Sequence, residues 1–181
     1  MVDSFQIKAK VCLVGDSSVG KTSIIRRYVL DIFEDKYIAT LGTKVSKKRI
    51  ILKRDGKNID LMFSIWDVLG QENFKKIHKV AFKGSRAAML VCDFTREETL
   101  TNIPLWASKV KKVAGEIPKI ILANKSDLTS QYAFSEADLQ AFSSKLNTTF
   151  FKTSARFGDN IIKTFYQLGE LIIEDIFKDE D

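Results

Sequence analysis

The sequence lacks several features that mark whole classes of proteins. Its 181 residues include only 2 cysteines and 1 histidine, and no apolar run approaches the roughly 18 residues that span a bilayer. Residues 1–10 also lack the apolar segment of a signal peptide. Cys12 and Cys92 lie in separate apolar runs and are interpreted as buried, reduced thiols of a cytoplasmic protein, not as a disulfide or a metal pair. No cysteine lies near the C-terminus, so no lipid anchor is expected on this chain.

Internal repeats, low-complexity tracts and linkers are absent too, so the simplest organisation is a single domain over residues 1–181. The hydrophobic content of 45% is ordinary for a globular protein. The net charge of +6 is concentrated at residues 36–57. Such a basic patch could attract nucleic acid, anionic lipid or an acidic protein surface, or could be a solvated face. No nucleic-acid module with interleaved aromatic residues accompanies it, so nucleic-acid binding is not predicted.

The hydrophobic pattern alternates between strand and helix along the chain. Apolar runs predict strands at 8–14, 43–53, 58–67, 86–92, 119–123 and 149–152, and helical spacing predicts helices at 23–30, 71–83, 97–113, 135–145 and 159–177. Asp55 and Gly56 form a hairpin signal between the second and third runs. Pro104 is expected to weaken the start of the third helix. The alternation is typical of an α/β three-layer sandwich with a six-stranded, mostly parallel sheet, one antiparallel edge strand and about five helices.

One stretch, Gly15-Asp16-Ser17-Ser18-Val19-Gly20-Lys21-Thr22, fits the pattern G-x-x-x-x-G-K-[ST] of phosphate-binding loops. The glycines allow a close backbone approach, so the loop amides can donate to a β-phosphate. Lys21 adds a charge for the β- and γ-oxygens, and the Thr22 hydroxyl can coordinate Mg²⁺. A strand before the loop and a helix from Ser23 after it place the phosphates at a helix N-terminus. This context favours a P-loop NTPase over a chance match by a glycine-rich turn.

Two further short motifs follow predicted strands. Asp67 and Gly70 form Asp-x-x-Gly, whose carboxylate can hold Mg²⁺ through a water and whose glycine lets a backbone amide approach a γ-phosphate. Asn124, Lys125 and Asp127 form Asn-Lys-x-Asp, whose carboxylate can accept from the N1–H and the exocyclic amine of guanine, a donor pair that adenine lacks. Taken singly, each motif is common, and the alternatives are an ordinary strand end and a polar loop.

Ser154 and Ala155, after the last predicted strand, complete a series of motifs in a fixed order. In this order the chain resembles the Ras-like small GTPases, in particular the Rab branch, over roughly residues 8–177, which would be the core of a single G domain. The resemblance implies a guanine-nucleotide-dependent molecular switch that binds GTP or GDP with Mg²⁺ and slowly hydrolyses GTP. A P-loop kinase or ATPase would have no role for Asn-Lys-x-Asp.

The resemblance also implies roles for individual residues. Gln71 would orient the attacking water and Lys21 would be the second catalytic group. The implied nucleotide-binding residues are Gly15, Asp16, Ser17, Ser18, Val19, Gly20, Lys21, Thr22, Ser23, Phe33, Tyr37, Thr40, Gly70, Asn124, Lys125, Asp127, Ser154, Ala155 and Arg156, and the implied Mg²⁺ ligands are Thr22, Thr40 and Asp67. Phe33 has an alternative as an ordinary loop anchor, and Gln71 as a switch residue with little catalytic output.

The implied protein partners are effectors, an exchange factor and a GTPase-activating protein, which would contact residues 37–45 and 67–83 of a monomer. The lone histidine, His78, is expected to be a solvated side chain on a basic helix. Trp66 and Phe82 belong either to an apolar partner surface or to the core.

Two departures from the family pattern leave a second function open. The family usually has Asp-Thr-Ala-Gly-Gln, and here Val68 and Leu69 replace Thr and Ala. This places a bulky leucine beside the γ-phosphate glycine. After Thr40 the Rab pattern Ile-Gly-x-Asp-Phe becomes Leu41-Gly42-Thr43-Lys44-Val45. The two changes are the motive for the alternative, a non-cycling interaction module that descends from GTPases. Intrinsic turnover of a cycling enzyme should be slow, on the order of 10⁻⁴ to 10⁻² s⁻¹, because no arginine in the phosphate loop or switch segments is an evident finger.

Overall fold

The computed structural model describes residues 4–34, 43–68 and 75–178 of the chain. Its strands are β1 (Ser4–Val14), β2 (Lys44–Arg54), β3 (Lys57–Asp67), β4 (Ala87–Asp93), β5 (Lys119–Asn124) and β6 (Thr149–Lys152). Its helices are α1 (Lys21–Leu30), α2 (Lys75–Phe82), α3 (Glu97–Thr101), α4 (Ile103–Ala114), α5 (Glu136–Lys145) and α6 (Ile161–Phe177). The six strands form one sheet in the order β2-β3-β1-β4-β5-β6.

Strand β2 lies at one edge of the sheet and runs antiparallel to β3, with Lys44 opposite Asp67 and Arg54 opposite Lys57. The other neighbouring strand pairs are parallel. At the hairpin turn, Asp55 and Gly56 have φ of 50° and 74°, and two-residue turns that match the strand twist require such positive angles. The structure confirms the predicted sheet.

The predicted helix at 97–113 is two helices in the structure. Helix α3 ends at Thr101 and α4 begins at Ile103, with Asn102 between them. Pro104 occupies the first turn of α4, where a missing N–H breaks no intrahelical hydrogen bond. The predicted helix was therefore wrong in being continuous, while the expectation that Pro104 disturbs its first turns agrees with the break at Asn102. Helices α3 and α4 together fill the place of one of the five predicted helices.

Two hydrophobic clusters cover the two faces of the sheet. Neighbouring strand residues alternate between them, so that Val11 belongs to one cluster and Cys12 to the other. In the first cluster Tyr28 of α1 stacks on Phe165 of α6 with ring centroids 3.7 Å apart. The second cluster contains Trp106 of α4. The helices thus form two layers around the sheet, which confirms the α/β three-layer sandwich.

His78 is buried, contrary to the expectation of a solvated side chain. Its exposed fraction is 5%. Its ring stacks on Phe82 with centroids 5.7 Å apart and meets the edge of Trp106 at 5.4 Å. The prediction was wrong because α4, which is distant in sequence, packs on this turn of α2. Phe82 is also buried and belongs to the core, while Trp66 is half-buried.

The two cysteines are both buried and free, as predicted. Burial raises the pKa of Cys12 to about 11 and raises the pKa of Cys92 as well. Both thiols are therefore protonated and unreactive at neutral pH. None of the helices within residues 4–34, 43–68 and 75–178 combines the length and the apolar character that crossing a membrane requires.

Candidate functional site

The loop between β1 and α1 requires glycine at two positions. Gly15 has φ of 146°, and a Cβ there would lie 2.1 Å from the carbonyl oxygen of Val91 in β4. Gly20 has φ of 101°, and its Cβ would lie 2.2 Å from Nδ2 of Asn124 in β5. Both the torsions and the space exclude other residues. The phosphate loop, residues 15–22, is thus held tightly against the ends of two strands.

Lys21, the first residue of α1, is a buried cation with 7% of its surface exposed. Its Nζ donates to the carbonyl oxygens of Gly15 at 2.8 Å and Asp16 at 2.7 Å. Burial lowers the pKa of Lys21 to about 8, and the nearby carboxylates of Asp67 and Asp16 oppose this effect. An anionic ligand at the loop would stabilise the ammonium charge that burial disfavours.

Thr22 and Asp67 bring two hard oxygen ligands together. The Oγ1 of Thr22 donates to Oδ2 of Asp67, at the end of β3, over 2.5 Å. Mg²⁺ is usually held by one or two protein oxygens together with waters and phosphate oxygens. The pair fits such an ion. In the part of the chain that the structure describes, no cluster of 3 or more His, Cys, Asp or Glu could form a separate metal cage.

Asn124, at the end of β5, joins the phosphate loop to the loop that follows β6. Its Nδ2 donates to the carbonyl of Val19 at 2.9 Å. Its Oδ1 accepts from Oγ1 of Thr153 at 3.3 Å and from the backbone N–H of Ala155 at 3.2 Å. Asn124 is 2% exposed, so water does not compete for these hydrogen bonds.

The other two residues of Asn-Lys-x-Asp are held by partners from elsewhere in the chain. Ser154 Oγ donates to Oδ1 of Asp127 at 2.7 Å. Lys125 Nζ lies 2.5 Å from Oδ2 of the buried Asp93. Burial by itself raises the pKa of Asp93, but hydrogen bonds from Lys125 and Thr95 outweigh it and leave the pKa below its ordinary value. Asp93 is therefore ionised at neutral pH and anchors Lys125.

The motifs thus meet at the carboxyl ends of β1, β3, β5 and β6, which is where ligands of open α/β sheets bind. A model of the Ras family matches residues 10–174 of the chain.

The chain belongs to the Ras family.

Curated relatives support the Rab branch of this family. The chain is 34% identical to the Ras-related protein RABD2a of Arabidopsis thaliana over 166 residues. This matched segment covers 91% of this chain and 80% of that protein. It is 36% identical over 164 residues to RABD2b of the same plant, covering 90% of this chain and 79% of that protein. It is 33% identical over 164 residues to the GTP-binding protein YPTM2 of Zea mays, with the same two coverages.

Family membership establishes the general activity. The protein is a small GTPase, a guanine-nucleotide-dependent molecular switch that hydrolyses GTP to GDP. The non-cycling interaction module is not favoured.

Several predicted site residues of this Ras-family protein cannot be placed. Tyr37, Thr40, Gly70 and Gln71 lie outside the described residues, as does Leu69.

The remaining predicted residues differ in exposure. Val19 is fully buried, while Ser17 and Ser23 are half-buried and Ser18 is exposed. Phe33 is half-buried and packs against the hydrophobic cluster beneath α1 and α6. Its contact with guanine stays a prediction.

Arg27 is a site residue that sequence reasoning missed. From α1, its Nε donates to the carbonyl of Ala155 at 3.0 Å and its Nη2 to the carbonyl of Arg156 at 2.6 Å. The helix that begins at the phosphate loop therefore also supports the backbone of the loop after β6. The Arg156 side chain itself is exposed and lies over the ring of Phe157. The sequence of α1 does not predict this role of Arg27, because the two residues that accept its hydrogen bonds are 128 and 129 positions away.

Arg96 is a second missed residue. It lies just before α3, and its Nη2 donates to the carbonyl of Ser17 at 2.8 Å while its Nε donates to Asp93 at 3.1 Å. The guanidinium thus joins the phosphate loop to the carboxylate that anchors Lys125. The one sequence feature that could have indicated this role is the position of Arg96, a basic residue three positions after the aspartate that ends β4.

Proposed function

We propose that this small GTPase holds its guanine nucleotide between the phosphate loop and residues 124–127 and 154–156. The loop amides and Lys21 would bind the β- and γ-phosphates at the N-terminus of α1. The carboxylate of Asp127, oriented by Ser154, would accept from the guanine edge. The observation that carries this proposal is the buried Asn124, which joins the phosphate loop and the loop after β6 through hydrogen bonds to both.

Mg²⁺ is part of the proposed site. Thr22 and Asp67 would hold it, with Thr40, outside the described residues, as the third predicted ligand. The bound ion supplies neutralisation of the charge on the β- and γ-oxygens. The described residues then orient the phosphates and exclude water, and Lys21 steadies the charge that develops on the phosphate oxygens.

Gln71, also outside the described residues, would orient the attacking water. Slow unassisted hydrolysis is supported by the position of Arg96, whose guanidinium is bound to Asp93 and to a loop carbonyl. Because protein groups already bind this guanidinium, we expect it not to contact the transferred phosphate. A protein partner would supply the missing charge. Single-turnover hydrolysis by wild-type protein and by Gln71→Leu tests this, and fast wild-type turnover or an unaffected variant would contradict it.

Base selection gives the sharpest test of the site. Inosine lacks the exocyclic amine of guanine, so wild-type protein should bind GDP much more tightly than IDP, and Asp127→Ala should lose most of this preference. Asp159→Ala, at an exposed carboxylate nearby, is the matched control and should keep it. Competition of GDP and IDP against a fluorescent GDP analogue measures the ratio. An unchanged ratio in Asp127→Ala would reject the proposed base pocket.

We propose that effectors, an exchange factor and a GTPase-activating protein contact residues 37–45 and 67–83. The described part of this surface combines exposed apolar and basic side chains, among them Val45, Lys79 and Val80. A partner with acidic residues around an apolar centre fits this chemistry. Amide hydrogen exchange in the GDP-bound and GTP-analogue-bound states should differ over these two segments, and equal exchange would count against a nucleotide-controlled surface.

A cytoplasmic monomer is the remaining part of the proposal. Two free, buried thiols are ordinary in a reducing compartment. Light scattering of the purified protein in both nucleotide states checks the monomer, and cell fractionation checks the compartment.

A further inference from the structure

Two residues outside the four nucleotide motifs, at the start of α4 and within it, attach this helix to the phosphate loop. The carboxylate of Asp16 accepts two hydrogen bonds, from Nε1 of Trp106 at 2.7 Å and from Nδ2 of Asn102 at 2.8 Å. The backbone carbonyl of Asp16 also accepts a hydrogen bond from Nζ of Lys21. A shift of Asp16 would therefore move both the loop and the cation that faces the phosphates.

The ring of Trp106 contacts α2 as well. His78 meets Trp106 at 5.4 Å with an interplanar angle of 70°, and it stacks on Phe82 in the next turn. Trp106 is 1% exposed. Because protein cores are close-packed, the buried indole cannot shift without displacing its neighbours. A movement of α2 at His78 would therefore displace the indole and, through its hydrogen bond, Asp16.

We propose that Trp106 is a positioning residue that joins α2 to the phosphate loop, so that the placement of α2 sets how tightly the loop retains the nucleotide. The proposal rests on the nucleotide site argued above. Helix α2 lies within the predicted partner surface, residues 67–83, so a partner that shifts α2 would change GDP release through this contact. By linkage, nucleotide binding would stabilise one placement of α2.

Removal of the indole N–H tests the attachment. Trp106→Phe keeps an aromatic ring but loses the hydrogen bond to Asp16, and it should raise the GDP dissociation rate about tenfold, equivalent to ~1.4 kcal/mol. The matched control is Trp66→Phe. The Nε1 of Trp66 has no hydrogen-bond partner among the described residues, so this variant should change the rate less than twofold. Equal rates in the two variants would overturn the proposal.

A double-mutant cycle tests the coupling to α2. His78→Ala should raise GDP release severalfold in the wild-type background but less than twofold in the Asp16→Ala background, because the connection through Trp106 is already broken there. Purely additive effects would mean that His78 acts only on stability and would overturn the link. His78→Leu, which keeps the volume and loses the planar ring, replaces His78→Ala if that variant does not fold.

Lys21→Ala separates this proposal from the site on which it depends. Wild-type protein should retain GDP, and Lys21→Ala should lose it. If Lys21→Ala retains GDP like wild type, the proposed phosphate site fails, and the inference fails with it. If Lys21→Ala loses GDP while Trp106→Phe behaves like Trp66→Phe, the site stands and only the role of Trp106 is wrong. Thermal melting of every variant checks that the fold is intact.

Discussion

The side-chain amide of Asn124 donates to the backbone carbonyl of Val19 at 2.9 Å, across 105 positions of sequence. Through this contact and those of its Oδ1, one buried side chain sets the separation between the phosphate loop and the loop at Ala155. A nucleotide that spans the two loops would find both ends of its site already placed. We therefore expect Asn124 to contribute to nucleotide affinity by holding the two loops together, independently of any contact with the ligand.

Asn124→Ala should weaken GDP binding strongly. The substitution leaves the carbonyl of Val19 and the N–H of Ala155 without their buried partner, and such losses cost about 1–3 kcal/mol per group. We expect GDP affinity to fall about 30- to 100-fold, equivalent to ~2–3 kcal/mol. Titration calorimetry with GDP measures it. Asn58→Ala, on a distant half-buried strand position, should leave affinity unchanged, and equal losses in both variants would show that Asn124 has no special role.

Gly20→Ala should abolish nucleotide binding through a steric conflict and not through backbone strain alone. Its Cβ would meet Asn124 Nδ2 at 2.2 Å, whereas a Cβ at Gly115, which also has positive φ of 84°, would meet nothing within 4 Å. Gly115→Ala should therefore lose only about 1–3 kcal/mol of unfolding free energy and keep GDP binding. Denaturant unfolding and GDP titration of both variants separate the two effects. A Gly20→Ala protein that binds GDP normally would contradict this account.

Arg27→Met should loosen the loop after β6 without touching the phosphate loop directly. The variant keeps much of the aliphatic stem but loses both hydrogen bonds to the carbonyls of Ala155 and Arg156, and GDP affinity should fall about tenfold, ~1.4 kcal/mol. Amide exchange should quicken at residues 154–157.

The adjacent Arg26 provides the matched control. Arg26 pairs with Glu34 at the surface, where the two side chains are 33% and 46% exposed. Exposed pairs of this kind contribute about 0–1 kcal/mol, so Arg26→Met should stay within about twofold of wild type. If the two arginine variants lose affinity equally, the contacts of Arg27 are not what supports the loop.

The features that the sequence predicted correctly are those encoded by local chemistry. Asp55 and Gly56 specify the hairpin because both residues adopt positive φ readily, and the glycines of the phosphate loop are required by torsion and space. The existence of helix α6 follows from the helical spacing of its apolar residues. These signals lie within a few neighbouring residues, so they can be interpreted without the fold.

The features that the sequence did not predict depend on contacts between distant residues. His78 is polar and lies among lysines, and only the packing of α4 on α2 decides that it is buried. Asn102 and Asp16 are 86 positions apart. No pattern in the sequence around either residue predicts the hydrogen bond between them. The division of the predicted helix at Asn102 was missed because a proline early in a helical stretch is compatible both with a weakened helix and with the start of a new one.

Because Lys21 is buried and its pKa is lowered, we expect nucleotide binding to be accompanied by proton uptake at alkaline pH. Burial lowers its pKa to about 8 in the protein without nucleotide, and a phosphate group beside the ammonium should raise the pKa again. Below about pH 7 Lys21 is charged before and after binding, so no uptake is expected. Above about pH 8 the free protein has lost the proton and the complex regains it, so affinity should fall as pH rises, by up to about tenfold per pH unit.

Calorimetry of GDP binding at pH 8.5 in two buffers of different ionisation enthalpy measures this uptake directly. Wild-type protein should take up a substantial fraction of one proton, and uptake should vanish near pH 6.5, where both states hold it. Lys125→Met is the matched control, because it removes a lysine of the same site that is ion-paired with Asp93 and should leave the uptake by Lys21 in place, even where affinity is lower. Equal heats in both buffers at pH 8.5 would show that Lys21 stays charged without the nucleotide. In that case the carbonyls of Gly15 and Asp16, together with the nearby carboxylates, would compensate its burial fully.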